Sequence, residues 1–177
     1  MSISAGRIVA ALLVTVALAG GALPAAAQSS DQPQWADDLF ADLQDMQPRF
    51  NANVTETDMN FAERQVFNQL AGNTVNVYFV GTDVVFSFRM RPDGTITDLR
   101  QSPRDDAGLK MQMTRDTAET LVAQSDPVPQ FVDAVRNGKT VTRDGERTVR
   151  GIVINGEDGK PVKQATWTVI NTVKGLL

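Results

Sequence analysis

Histidine and cysteine are both missing from this 177-residue chain, and between them they account for much of enzyme chemistry. Without histidine there is no side chain that changes charge near neutral pH, so the commonest general base is excluded. Without cysteine there is no thiol nucleophile and no disulfide, and the two absences together remove nearly every transition-metal ligand set. Stability must then come from an ordinary apolar core, which about 150 residues can bury. Aromatic residues are few, with Tyr 1 and Trp 2, too few for a carbohydrate platform or a nucleic-acid stacking surface. No block of like charge, no internal repeat and no glycine-rich phosphate loop is present, so nucleotide binding has no support. The carboxylate pair Asp105-Asp106 lies in a polar loop where solvated charge is the default. Asp93-Gly94 and Gly156-Glu157-Asp158-Gly159 lack the repeated oxygen-ligand spacing of a calcium loop and read as turns. The expectation is a non-catalytic protein with no cofactor and no metal.

What is there begins with a targeting signal. Arg7 precedes an apolar run from Ile8 to Ala19, then Gly20, Gly21 and Pro24 break it, and Ala25 and Ala27 satisfy the small-residue rule for cleavage after Ala27. The run is shorter than the roughly 20 apolar residues that span a bilayer. The expectation is therefore a signal peptide over residues 1–27, a secreted mature chain with no transmembrane segment, a polar lead over 28–34 and one domain over 35–177. With no cysteine at the cleavage point, lipid attachment there is excluded. Loss of Arg7 from 17 basic residues leaves 16 against 21 acidic, a net −5, which disfavours nucleic acid and anionic membranes as partners.

The mature chain starts with helical spacing: Trp35, Leu39, Leu43 and Met46 form one stripe, acidic residues fill the opening turns, and Pro48 is expected to end the helix. Asn53-Val54-Thr55 is a glycosylation sequon whose use depends on the host. A second helix is expected from Asp58 to Leu70, capped by Thr57 or Asp58 and stopped by Gly72. The period then changes to two. Val75, Val77 and Phe79 alternate with polar residues, as do Phe86, Phe88 and Met90 after a Gly81-Thr82-Asp83 turn, giving a hairpin with one apolar face. Thr95 to Gln101 continues as a third strand and Leu109 to Met113 as a fourth. Thr114 and Asp126-Pro127 open two short helices, Gly138 stops the second, and Lys139 to Arg143 reads as a fifth strand. Residues 146–157 fit either a helix or a short strand, and Pro161 to Lys174 reads as a terminal helix. Tyr78 and Trp167, each a large apolar body with a polar handle, are expected to pack under neighbouring helices.

These elements make an α+β fold, an antiparallel sheet of about five strands packed against helices. From Leu109 to Gly145 the order and punctuation resemble the sterol carrier protein type of domain, in the non-specific lipid-transfer superfamily. The shared features are the alternating strand Leu109-Lys110-Met111-Gln112-Met113, the helix begun at Thr114 with Asp116 and carrying Leu121, the Asp126-Pro127 start, the Gly138-Lys139 strand opening and Gly145 at its close. Ser125 stands where that family usually has Gly. The resemblance implies an apolar space between sheet and helices that holds an acyl chain or a sterol. Phe86, Phe88, Met90, Leu109, Met111 and Met113 would line it, and Met suits such a wall because its unbranched side chain adapts. The same residues could equally form a closed core. The alternative reading is an extracellular structural or protein-interaction module that uses a sheet edge or the Trp35 to Met46 helix and takes no ligand.

Overall fold

The structure, a computed structural model, describes residues 32–56, 61–143 and 145–158. The expected signal peptide, the cap at Thr57 or Asp58, Trp167 and the terminal helix lie outside the described residues.

Helix α1, Gln34–Glu56, runs through Pro48 instead of ending there. Its apolar stripe does not stop at Met46: Phe50 is 1% exposed and Val54 is buried too. Proline inside a helix costs about 3 kcal/mol. Burying Phe50 and Val54 returns about 1.5–3 kcal/mol each. Tertiary hydrogen bonds then hold the turns around the proline. Gln47 Nε2 donates to the Ile96 carbonyl at 2.7 Å, and Asn51 both donates to that carbonyl and accepts from Ile96 N–H, at 2.9 and 2.7 Å. Arg49 donates to the carbonyls of Val122 and Gln124. Helix α2 spans Phe61–Leu70 and ends at Gly72, whose φ of 75° is the left-handed geometry of a helix stop.

Strands β1 (Thr74–Phe79), β2 (Val85–Met90), β3 (Ile96–Arg100) and β4 (Leu109–Met113) form where alternation places them. In the hairpin, Val77 stands opposite Phe86 and Val75 opposite Phe88, so one face is apolar. The five-stranded sheet has the order β3-β2-β1-β4-β7 and is mixed. The expected all-antiparallel arrangement is corrected at one ladder, because β4 pairs with β1 in parallel. The cause is the path of residues 101–108, which carry the chain back across the polar face of the sheet. Two polar side chains on that face hold them: Ser87 donates to the Ser102 carbonyl at 2.7 Å, and Asn76 pairs with both Arg104 N–H and Arg104 carbonyl.

After β4, Thr114 caps helix α3 (Arg115–Val122) and Asp126 caps α4 (Pro127–Arg136), each side chain accepting from an otherwise unpaired helix amide. The next strand, β5 (Lys139–Arg143), is not the fifth strand of the sheet as expected. It pairs with β6 (Glu146–Arg150) in a separate two-stranded ribbon, and β7 (Val153–Gly156) takes the edge place beside β4. The ambiguous stretch is thus two strands broken at Gly151. There the chain crosses the end of α4 so closely that a Cβ on Gly138 would lie 1.7 Å from the Ile152 carbonyl oxygen, and one on Gly151 2.4 Å from that of Ala134. Helices α1, α3 and α4 cover the apolar face, and the core lies between them and the sheet.

Candidate functional site

The apolar face is not fully closed. Between sheet and helices lies a hollow of about 70 Å³. Its sheet side consists of Val77 and Phe79 from β1, Phe86 and Phe88 from β2, and Met111 and Met113 from β4; its helix side includes Met46 and Phe50 from α1, Leu121 from α3 and Phe131 from α4. Edge-to-face ring pairs brace the walls, with Phe79 and Phe86 centroids 4.9 Å apart, Phe40 and Phe86 5.3 Å, and Phe50 and Phe131 5.9 Å. No ionisable side chain is among the lining residues. The one hydroxyl-bearing residue, Ser87, spends its hydroxyl on the Ser102 carbonyl. The hollow can therefore take up hydrocarbon but offers no acid, base or nucleophile to a guest.

Of the six residues expected to line an apolar space, Phe86, Phe88, Met111 and Met113 border the hollow, whereas Met90 and Leu109 are buried core residues away from it. The register explains the split. Met90 and Leu109 stand at the Thr74 end of β1, while the hollow lies over the Val77 to Phe79 half. The helix-side wall was not singled out from sequence; the apolar stripes of α1, α3 and α4 were the signal, but a stripe does not say which residue meets a gap.

The opposite face of the sheet is polar and tightly bonded. Among the described residues no helix covers Tyr78: its hydroxyl donates to Glu157 at 2.6 Å, and Asn76 donates to the other oxygen of that carboxylate at 3.2 Å. Burial first, then the Glu157 hydrogen bond and charge, push the Tyr78 phenol up to about 12. Lys110 lies over the Tyr78 ring, 4.6 Å from its centroid, and pairs with Asp158 at 2.8 Å. Arg104, with a side chain only 4% exposed, donates to the Asp98 carbonyl and pairs with its carboxylate. That bond, ahead of a second from Arg100, holds the Asp98 carboxyl below the usual carboxylate range. Asp98 itself has φ 53° on edge strand β3, where the register shifts against β2. Such an irregularity blunts the edge against pairing with another chain. Asp106 pairs with Arg89 at 2.7 Å on the exposed surface, and Asp93 accepts from both Thr95 N–H and its hydroxyl, a turn and not a metal loop. Among the described residues, no group of three or more acidic side chains is placed to hold a metal, and no helix is long and apolar enough to cross a membrane.

No protein-family model and no curated protein matches the sequence. Among solved structures, the chain is similar to one described as "UbiJ-SCP2 Ubiquinone synthesis protein", with 10% identity and a TM-score of 0.34, over 75% of this chain and 90% of that one. A likeness at that level carries no functional argument, and the reading that follows rests on this chain's own residues.

Proposed function

We propose that this chain is an exported, non-catalytic protein that holds a slender apolar molecule, a single acyl chain, between its sheet and helices. The observation that carries the reading is the hollow walled by apolar side chains from β1, β2 and β4 on one side and α1, α3 and α4 on the other. Its size sets the ligand class. A cavity of roughly 150 Å³ is needed to hold benzene. A space of 70 Å³ admits no fused ring system, but it can accept the end of a chain. At about 0.8 kcal/mol per buried methylene, ten methylenes supply roughly the 8 kcal/mol of a micromolar complex, before the cost of association. The hollow as it stands has room for only a few. Loading a longer chain therefore requires Met46, Met111 and Met113 to change rotamer and the helical layer to give way, which their flexible side chains favour.

The test is binding of a naturally fluorescent polyunsaturated fatty acid to the chain recovered from an exporting host, followed by displacement with palmitate and with cholesterol. Fluorescence enhancement, displacement by palmitate and no displacement by cholesterol are expected. No enhancement, together with no lipid in the native mass spectrum, would overturn the reading. The same mass spectrum tests export, because the secreted chain should lack residues 1–27.

A further inference from the structure

Exposure around the hollow is uneven. Among the described residues that line it, every one is buried except Leu43 on α1 and Leu99 on β3, which are half-buried. The hollow therefore meets solvent where the first helix lies along the edge strand. The bonds along that seam are uneven as well. At one end Gln101 donates to Asp37 at 2.6 Å and Gln32 to the Gln101 carbonyl at 3.1 Å. At the other end, Gln47 and Asn51 make three bonds to the Ile96 backbone. Between these two clamps the contact is apolar, formed by Phe40, Leu43 and Leu99, all partly buried against the core.

We infer that the α1–β3 seam is the loading portal of the hollow, with Leu43 and Leu99 as its gate, and that the amide clamps at either end let the helix bow outward without detaching. This inference rests on the carrier reading above. Apolar contacts are non-directional and re-form after sliding, whereas parting a geometric hydrogen bond leaves unsatisfied groups. The unclamped middle of the seam is thus its easiest part to open. The backbone of the sheet wall is fixed, because the strands are laddered together and the polar face is tied across by Ser87, Asn76 and Arg104.

A gate sets rates more than affinity, and that separates it from an ordinary wall residue. Stopped-flow loading of the fluorescent fatty acid should be faster in Leu43→Ala, with association and dissociation both raised by roughly tenfold and Kd changed by less than about threefold. Val135→Ala, a truncation of a residue 3% exposed and outside the lining, should leave both rates unchanged. Because the chain has Cys 0, a Leu43→Cys/Leu99→Cys variant can be bridged selectively with a short bifunctional thiol reagent. The bridged form should load at least about tenfold more slowly than the same variant unbridged. Equal loading by the bridged and unbridged forms, or equal rates in Leu43→Ala and the unaltered chain, overturns the portal and leaves the carrier reading in place. Failure of the unaltered chain to bind at all overturns both.

Discussion

Met111→Ala separates a hollow with rigid walls from packing that simply collapses. Met111 is 1% exposed, flanked by Val77 on one strand and Ile154 on the other, and it borders the hollow. Truncation removes roughly 75 Å³ of side chain; at ~24 cal/mol per Å³ of cavity retained this costs about 1.8 kcal/mol, on top of about 2 kcal/mol of lost transfer energy. The expected loss is therefore ~3–4 kcal/mol, tolerable against the ~5–15 kcal/mol of a typical domain. If the walls stay put, the hollow grows from 70 Å³ to the scale of about 150 Å³ that accepts benzene. Urea unfolding, followed by the fluorescence of Trp35 where its ring meets Phe79 at 5.7 Å, measures the loss. Repeating it with benzene at ten times its Kd should restore about 1.4 kcal/mol to the variant, and far less to the unaltered chain. A loss under about 1 kcal/mol, or the same benzene effect in both proteins, would refute the rigid-wall reasoning.

Three further outcomes follow from the geometry. Gly138→Ala should cost at least about 3 kcal/mol by driving Cβ into the Ile152 carbonyl, whereas Gly81→Ala, with φ 84° but nothing within 4 Å, should cost only about 1 kcal/mol; similar denaturation midpoints would contradict the close crossing. Asn76→Ala leaves the Arg104 N–H without its partner in a buried site, while the Arg104 carbonyl keeps the Ala107 N–H at 3.3 Å, so a loss of about 1–3 kcal/mol with faster hydrogen exchange in residues 101–108 is expected, and unchanged exchange there would show that the crossing segment is held by something else. Tyr78, the single tyrosine, should ionise with a midpoint near pH 12 by its ultraviolet absorbance. Since the folded value lies above the unfolded value of 10.0, the associated stability is complete below pH 10 and is lost as pH rises towards 12; a midpoint at 10 would mean that neither the burial of the phenol nor its Glu157 bond holds in solution.

Local chemistry explains what could be read without coordinates. Two-residue alternation puts Phe86, Phe88, Met111 and Met113 on one face whatever the partner strand, and Thr114 and Asp126 cap their helices through bonds spanning two or three residues. Partner choice is different, because it is decided at long range. The parallel β1–β4 ladder depends on Asn76 capturing Arg104, 28 residues away, and nothing in the pattern of either strand encodes that. Pro48 misleads for the same reason: its local penalty is outweighed by Phe50, Val54 and the bonds from α1 to Ile96. Of the candidate site, the sheet wall was legible and the helix wall was not, since a helical stripe marks the buried side without marking where burial is incomplete. The separation of Met90 and Leu109 from the hollow is likewise a matter of position along the sheet, to which a period of two is blind.

The two faces of the sheet divide the mechanical work of the proposed function. An apolar guest larger than the hollow must push something aside, and the free-energy cost depends on which layer yields. Splaying β1 from β2 or β4 would break ladder bonds and also strip Asn76, Ser87 and Arg104 of the partners that satisfy them on the far side. Each buried polar group so orphaned costs about 1–3 kcal/mol, more than a methylene returns. Lifting the middle of α1 from β3 parts apolar side-chain contacts, those of Leu39, Phe40, Leu43, Met46 and Leu99, and a guest replaces them with contacts of its own. The polar network on the outer face thus makes the sheet the fixed jaw, and the helical layer is left as the one that can move.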